Sequence, residues 1–128
     1  MTYKQYHIIK LNELRRGNLS ILDYLQRERL ITFEMIEGFV AKTLDVNEAI
    51  LYTKTRLRTV AQARQLIQTL AYLFTNMSTT EIGRRTERDH STVLHAKKTV
   101  YNLVETDRNF REIYNNLYKT LKHEKRQV

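Results

Sequence analysis

Very little in this chain can break a helix. Proline is absent from its 128 residues and only three glycines are present. Valine, isoleucine and aromatic residues recur at helical spacings, and not in the alternation that is typical of a half-buried strand. This pattern predicts an all-α protein, a bundle whose helices bury their apolar faces against one another.

The size of the chain predicts one domain, or one domain with an appendage. A chain of this length can bury a sufficient core without disulfides or a structural metal, and the absence of cysteine excludes disulfides and thiolate metal sites. The first ten residues lack the apolar run of a signal peptide, and no stretch of about 18 apolar residues occurs. We therefore expect a cytoplasmic protein with no membrane partner.

The positive charge is concentrated in the second part of the chain. The net charge is +8; residues 1–53 contain seven Lys/Arg and seven Asp/Glu, whereas residues 54–128 contain fifteen and seven. A basic half beside a neutral half predicts a face that binds a polyanion. The alternative is an ordinary solvated surface.

Periodicity and capping residues predict the order of the helices. Thr32 is a plausible N-cap, and Thr59 and Ser78 each have Gln or Glu three residues later, the spacing of a capping box. The predicted helices cover 3–15, 20–30, 33–44, 59–75, 79–85, 90–105 and 109–123, with a short helical turn at 47–52 and a basic loop at 52–58. Residues 122–128 are expected to form a disordered tail. The helix that begins at Thr59 should bury Val60, Ala63, Ile67, Leu70 and Phe74 and leave Arg64, Gln65 and Gln68 elsewhere on its surface.

The short helix before Arg85 and the helix that begins at His90 have the pattern of a helix-turn-helix. Two faces of the second helix differ in character. The apolar face consists of Val93, Leu94, Ala96, Val100, Tyr101, Leu103 and Val104. The polar face consists of Ser91, Thr92, His95, Lys98, Thr99 and Asn102. The polar face contains no acid, which is unusual for a solvated helix. It predicts that the first residues read base edges in the major groove of double-stranded DNA and that the middle of the helix contacts phosphates.

Each of these residues also has a simpler interpretation. Asp89, Ser91 and Thr92 could do no more than cap the first turn, and His95 could be an exposed histidine. Arg56 and Arg58 in the basic loop could be solubilising charges. An arginine beside a major-groove reader is, however, well suited to the neighbouring minor groove.

Catalysis and metal binding are not expected. His90 and His95 lie five residues apart, which places them on different sides of a helix, and no cluster of carboxylates is nearby. No G-x-x-x-x-G-K-[ST] motif occurs, so no nucleotide is expected to bind. The sequence therefore predicts neither an enzyme nor a cofactor.

Three segments together resemble a known family. They are Val60-Ala61 with Arg64-Gln65, Glu81-Ile82-Gly83, and Arg88-Asp89-His90-Ser91-Thr92-Val93-Leu94-His95-Ala96. Their order and separations are similar to those in the C-terminal DNA-binding domain of the bacterial replication initiator family DnaA, specifically over 56–104 and more loosely over 34–121. The resemblance implies a Trp-repressor-like helical fold that reads a short asymmetric box in duplex DNA.

The resemblance also implies a role for individual residues. Bases in the major groove would be contacted by Asp89, His90 and Ser91, with Thr92 beside them. Arg56 would enter the minor groove, to which we also assign Arg58. Phosphates would be held by Arg64, Gln65 and His95, and we add Arg88 and Lys98 to these.

The chain departs from the family pattern at three places. Ser91 lacks a methyl group that the family commonly offers to thymine there. The turn 84–87 is one residue shorter than usual and lacks glycine. Tyr72 stands where a lysine commonly supports a phosphate contact.

The division of the chain that follows is 1–33 as a helical extension, 34–121 as the DNA-binding domain and 122–128 as the tail. Since no ATPase motif is present, we hypothesise a stand-alone protein that occupies initiator-type boxes, in replication initiation or transcription control, of host or mobile-element origin. The alternative is an interaction adaptor. In that case residues 1–33 would self-associate or recruit a replication protein, and DNA binding would be secondary.

Overall fold

The structure, a computed structural model, describes residues 31–126 together with Ile8, Asn12, Arg16 and Gly17. The helices predicted over 3–15 and 20–30, and the role suggested for 1–33, fall almost wholly outside these residues. Within 31–126 the chain is helical and contains no strand, so the prediction of an all-α fold is confirmed. None of the helices in this part of the chain is both long and apolar enough to cross a bilayer.

Five α-helices and one short 3₁₀ turn follow one another between residues 31 and 126. They are α1 (Phe33–Leu44), the 3₁₀ turn (Glu48–Ile50), α2 (Arg58–Phe74), α3 (Thr79–Arg85), α4 (His90–Thr106) and α5 (Arg108–Arg126). The last helix continues into the segment 122–128 that the sequence predicts as a disordered tail.

Helix α2 is the centre of the fold, because α1, α3, α4 and α5 all pack against it. The five apolar residues predicted to form its buried stripe are all buried. Leu66, Gln68 and Ala71 are buried as well, since a helix with neighbours on most sides has no broad solvent face. The expectation that Gln68 lies on the surface is therefore wrong: its side chain is 1% exposed.

Three of the four predicted N-caps are present. The side chains of Thr32, Ser78 and Asp89 accept the backbone N–H of the residue three positions later, at the starts of α1, α3 and α4. Each satisfies an N–H that has no partner within the first helical turn. The Ser78 hydroxyl also donates to Glu81 Oε1 over 3.2 Å.

The capping box predicted at Thr59 is not present. Helix α2 begins one residue earlier, and its N-cap Leu57 has no side chain able to accept a hydrogen bond. The Leu57 N–H instead donates to the Thr55 hydroxyl at 3.2 Å, so the turn is closed within the preceding loop. The basic loop, not a side-chain cap, therefore determines where α2 starts.

The apolar face of α4 is narrower than its sequence predicts. Val93, Ala96 and Val100 are buried, but Leu94 is 49% exposed and Tyr101 is 43% exposed. Leu94 and Tyr101 each follow a buried valine by one residue, about 100° further round the helix. Neighbouring helices cover the valine face of α4 and leave this edge to solvent.

Candidate nucleic-acid interface

The turn between α3 and α4 is held by close backbone contact. A Cβ atom on Gly83 would lie 2.5 Å from the carbonyl oxygen of Arg88, so only glycine allows the two segments to approach this closely. The Arg88 N–H donates to the Gly83 carbonyl at 2.7 Å across the same junction. In the turn itself, Glu87 has a left-handed backbone with φ of 56°. A non-glycine residue therefore takes a backbone conformation that favours glycine.

A buried polar contact fixes this turn to the centre of the fold. Gln68 Nε2 on α2 donates to the hydroxyl oxygen of Thr86 at 3.0 Å, and the Thr86 hydroxyl lies 2.8 Å from the Ile82 carbonyl. Thr86 is fully buried. The periodicity of the sequence does not predict this pair. The polar Gln68 between the apolar residues of α2 is the only signal that could have indicated it.

The amino end of α4 is organised by one carboxylate oxygen. Asp89 Oδ1 accepts from the Thr92 hydroxyl at 2.7 Å, the Ser91 hydroxyl at 2.9 Å and the Thr92 N–H at 3.0 Å. Hydrogen bonds stabilise the ionised form, so the pKa of the Asp89 carboxyl falls to about 2; the Thr92 hydroxyl contributes most, then the Thr92 N–H and Ser91. Asp89 is therefore the N-cap of α4, as one of its two interpretations predicted.

The residues assigned to the major groove are all open to solvent. Asp89, His90, Ser91 and Thr92 are exposed, and so are His95 and Lys98 further along α4. Contact with DNA requires such exposure, but the contact itself stays a prediction. Glu87 in the turn is exposed too, and it is an acid close to this surface.

The basic loop before α2 lies next to this surface. Arg56, Leu57 and Arg58 are exposed, and Leu57 is 61% exposed. At the start of the loop, Leu51 is buried in the core and the Tyr52 hydroxyl donates to Glu37 on α1. Burial, and after it the bond to Glu37, raises the pKa of Tyr52. The start of the loop is therefore anchored, whereas its arginines extend outward.

Two of the residues assigned to phosphates already bind backbone oxygens. Arg64 donates to the Leu51 carbonyl at 3.0 Å and to the Thr53 carbonyl at 3.2 Å. Arg88 donates to the Glu87 carbonyl at 2.9 Å and lies 3.4 Å from the carbonyls of Tyr52 and Thr53. Gln65, the remaining phosphate candidate on α2, is half-buried. The sequence gives no sign of these carbonyl contacts, because they join segments far apart in the chain.

An ion pair joins the end of α3 to α1. Arg85 bonds Glu34 on α1, and its guanidinium lies 4.6 Å from the centroid of the Phe33 ring. The bond to Arg85 lowers the pKa of Glu34. Helix α3 is thereby fixed to α1, and the negative charge of Glu34 is balanced.

Tyr72, which stands where the family commonly has a lysine, is covered by a lysine from α4. The Lys97 ammonium lies 3.4 Å from the centroid of the Tyr72 ring, the geometry of a cation–π contact. A cation is therefore present at this position of the surface, although it comes from another helix.

In the part of the chain that the structure describes, no three His, Asp or Glu side chains come close enough together to hold a metal ion. The geometry is instead that of a short helix, a tight turn and an exposed second helix. The family model described as the bacterial dnaA protein helix-turn-helix matches residues 33–100. The chain belongs to this family.

Curated relatives agree with the membership. The chromosomal replication initiator protein DnaA of Flavobacterium psychrophilum is 40% identical over 95 residues, and that of Bacteroides fragilis is 41% identical over 95 residues. In both cases the aligned region covers 73% of this chain and 20% of the relative. The chain thus corresponds to about a fifth of the length of these DnaA proteins, the part that contains the helix-turn-helix.

Proposed function

We propose that this chain binds double-stranded DNA through its helix-turn-helix and reads a short asymmetric site similar to a DnaA box. The amino end of α4 would lie in the major groove and Arg56, with Arg58, would enter the adjacent minor groove. Since the relatives are named as chromosomal replication initiators, the pathway we propose is replication initiation or its control.

The observation that carries this proposal is the exposed first turn of α4. A helix N-terminus presents unsatisfied N–H groups and the positive end of the helix dipole, both of which favour a nearby phosphate. Side chains on the same turn can then reach base edges in the groove. His90, Ser91 and Thr92 are exposed at this position and α3 supports them from behind.

The hydrogen bonds of this turn distinguish the residues chemically. The hydroxyls of Ser91 and Thr92 both donate to Asp89, so toward a base they offer oxygen lone pairs, and Thr92 adds a methyl group. The His90 ring forms no hydrogen bond among the described residues, so its nitrogens are available to a base edge or phosphate. We therefore expect His90 to contribute most to discrimination, and Thr92 to favour a thymine methyl.

Phosphate contacts would surround this reading surface. His95 and Lys98 continue along the exposed face of α4, whereas Arg64 and Gln65 lie on α2. Arg88 lies in the turn before α4. A guanidinium has five N–H donors, so the carbonyl contacts of Arg64 leave some free for a phosphate. The exposed acid Glu87 would repel a phosphate. The sugar–phosphate backbone of the DNA is therefore expected to pass on the side of Lys98 and not of Glu87.

Selection of bound sites from a random duplex library tests this function. We expect one enriched asymmetric box, and weaker binding to single-stranded DNA of the same sequence. Enrichment of no sequence, with equal affinity for random duplexes, would contradict site-specific reading. Absence of duplex binding in low salt, together with tight binding of a replication protein, would favour the adaptor alternative.

Substitution of His90 by alanine tests the reading surface directly. Loss of a base contact should weaken binding to the selected box by about 1–3 kcal/mol and change affinity for random duplex little. Binding isotherms on both DNAs in the same buffer give the two values. If the variant lost the same factor on random DNA, His90 would be a phosphate ligand and not a base reader.

A further inference from the structure

Arg64 connects the middle of the fold with the start of the basic loop. Its side chain is half-buried, and it reaches from α2 to the carbonyls of Leu51 and Thr53 at 3.0 and 3.2 Å. Two bonds from one planar guanidinium define the position of both carbonyl groups. These bonds are charge-assisted, which makes them stronger than neutral backbone contacts.

Arg88 reaches the same segment of backbone from the helix-turn-helix, and it shares the Thr53 carbonyl with Arg64. Its Nη1 lies 3.4 Å from the Tyr52 carbonyl and its Nη2 lies 3.4 Å from the Thr53 carbonyl. The Thr53 oxygen is therefore approached by one arginine from α2 and by another from the turn before α4. These contacts are longer than those of Arg64, so Arg64 is the stronger of the two anchors.

The two positive charges are held together without an acid. Neither Arg64 nor Arg88 forms an ion pair within the described part of the chain, in contrast to Arg85, which pairs with Glu34, and Arg108, which pairs with Glu112. Burial, and next to it the charge of Arg88, lowers the pKa of Arg64. Carbonyl dipoles therefore offset the mutual repulsion. Such an arrangement requires the forked geometry of arginine, which lysine lacks.

Arg56 is restrained from both sides as a result. It follows Thr53 by three residues, a stretch that spans at most about 10 Å when fully extended. It precedes Arg58, the first residue of α2, by two. The position of Arg56 relative to α4 thus depends on where Thr53 is held.

We propose that Arg64 and Arg88 are positioning residues that clamp the carbonyls of residues 51–53 and thereby place Arg56 in register with α4. The clamp would align the minor-groove contact with the major-groove contact before DNA arrives. Preorganisation of this kind reduces the ordering cost of binding. This inference rests on the proposed function, since it needs Arg56 to contact the minor groove. In this role Arg64 must bond two carbonyl groups at once, which a positive charge without the guanidinium geometry cannot do.

A double-mutant cycle between Arg64→Lys and Arg56→Ala tests the proposal. Lysine keeps the charge that a phosphate would need but cannot bond both carbonyls. With the native Arg64 we expect Arg56→Ala to weaken binding to the selected box by about tenfold, and in the Arg64→Lys background by no more than about threefold. The same factor in both backgrounds would overturn the clamp, while duplex binding and the proposed function would stand.

One further measurement and a control variant make the result unambiguous. Amide hydrogen exchange without DNA should be faster over residues 51–57 in Arg64→Lys than in the native chain, and unchanged elsewhere in the fold. Arg108→Lys is the matched control, because Arg108 is exposed and pairs only with Glu112 among the described residues; neither DNA affinity nor exchange should change. Unaltered exchange over 51–57 in Arg64→Lys would contradict the proposal.

Arg88→Lys provides a second, milder variant should Arg64→Lys unfold. It should reduce the effect of Arg56→Ala in the same direction and by a smaller factor, since its contacts with the loop are longer. If Arg56→Ala has no effect with the native Arg64, Arg56 does not contact DNA and the inference fails. Failure of the native chain to bind any duplex would instead refute the proposed function.

Discussion

At the scale of single residues, Asp89 shows how capping and recognition share the same atoms. Its Oδ1 accepts three hydrogen bonds and orients the hydroxyls of Ser91 and Thr92. The carboxylate is therefore the N-cap of α4. It also orients the two hydroxyls, so that their oxygen lone pairs and not their protons are available to solvent. The two interpretations that the sequence left open for Ser91 and Thr92 are compatible, since capping uses their protons and leaves their lone pairs.

Asp89→Ala should reveal this cap through its pH dependence. The pKa of Asp89 is about 2 in the folded chain and about 4 in the unfolded chain. A lowered folded pKa stabilises the fold above the unfolded value, and that stabilisation is lost as pH falls through about 2. The variant should melt below the native chain at pH 7, and the difference should shrink between about pH 4 and pH 2.

Thermal unfolding followed by circular dichroism measures both melting temperatures. Glu105→Ala is a suitable control, because Glu105 is an exposed acid on α4 whose side chain has no hydrogen bond among the described contacts. Its difference from the native chain should not follow this pH profile. A constant difference for Asp89→Ala down to pH 2 would show that the carboxylate charge is not what stabilises α4.

At the scale of elements, the helix-turn-helix is one rigid unit and not two independent helices. Gly83 allows α3 to touch the backbone at Arg88, the Gln68–Thr86 bond fixes the turn to α2, and Arg85 fixes the end of α3 to α1. A helix as short as α3 would not be stable in isolation, so these contacts account for its presence. The surface at the start of α4 is preorganised by them.

Gly83→Ala tests this rigidity. A Cβ atom 2.5 Å from a backbone oxygen forces the two segments apart, and we expect a loss of about 1–3 kcal/mol in the free energy of unfolding. Urea denaturation measures the change. Gly38→Ala in α1 is the matched control: its Cβ would meet only Glu48 Oε1 at 3.8 Å, and alanine there should be neutral or stabilise by up to about 1 kcal/mol. Equal effects of both substitutions would mean that the junction tolerates separation.

At the scale of the whole molecule, the distribution of charge matches the proposed orientation on DNA. The excess of Lys and Arg lies in residues 54–128, which contain the basic loop and the helix-turn-helix. The acids of α1 face this part of the molecule already paired: Glu34 with Arg85, and Glu37 with the Tyr52 hydroxyl. The proposed surface thus has an excess of cations over acids.

Salt should weaken binding in proportion to the number of phosphates that are neutralised. With Arg64, Arg88 and Lys98 as cationic phosphate ligands, the slope of log K against log salt concentration should be about −3. Lys98→Ala should make the slope less steep by about one unit, because one contact is lost. Lys42→Ala on α1 should leave it unchanged. Equal slopes for the Lys98→Ala variant and the native chain would remove Lys98 from the interface.

Much of the fold could be predicted from the sequence, because its determinants are local. The lack of helix breakers, the apolar period of α2 and the caps Thr32, Ser78 and Asp89 each depend on residues within one or two turns. The same holds for the caps within the motif over 79–96, since Ser78 and Asp89 each bond a residue three positions later. The sequence also indicated the family, which the match over 33–100 confirms.

The remaining features were decided by contacts between residues far apart in the chain. Gln68 is buried because Thr86 reaches it from the turn, and α2 starts before Thr59 because the loop positions it. Leu94 stays exposed because no helix within residues 31–126 covers that edge of α4. Arg64 and Arg88, which by charge alone resemble phosphate ligands, converge on the carbonyls of residues 51–53. A local pattern determines what a residue can offer, whereas the packing of distant segments determines which partner it meets first.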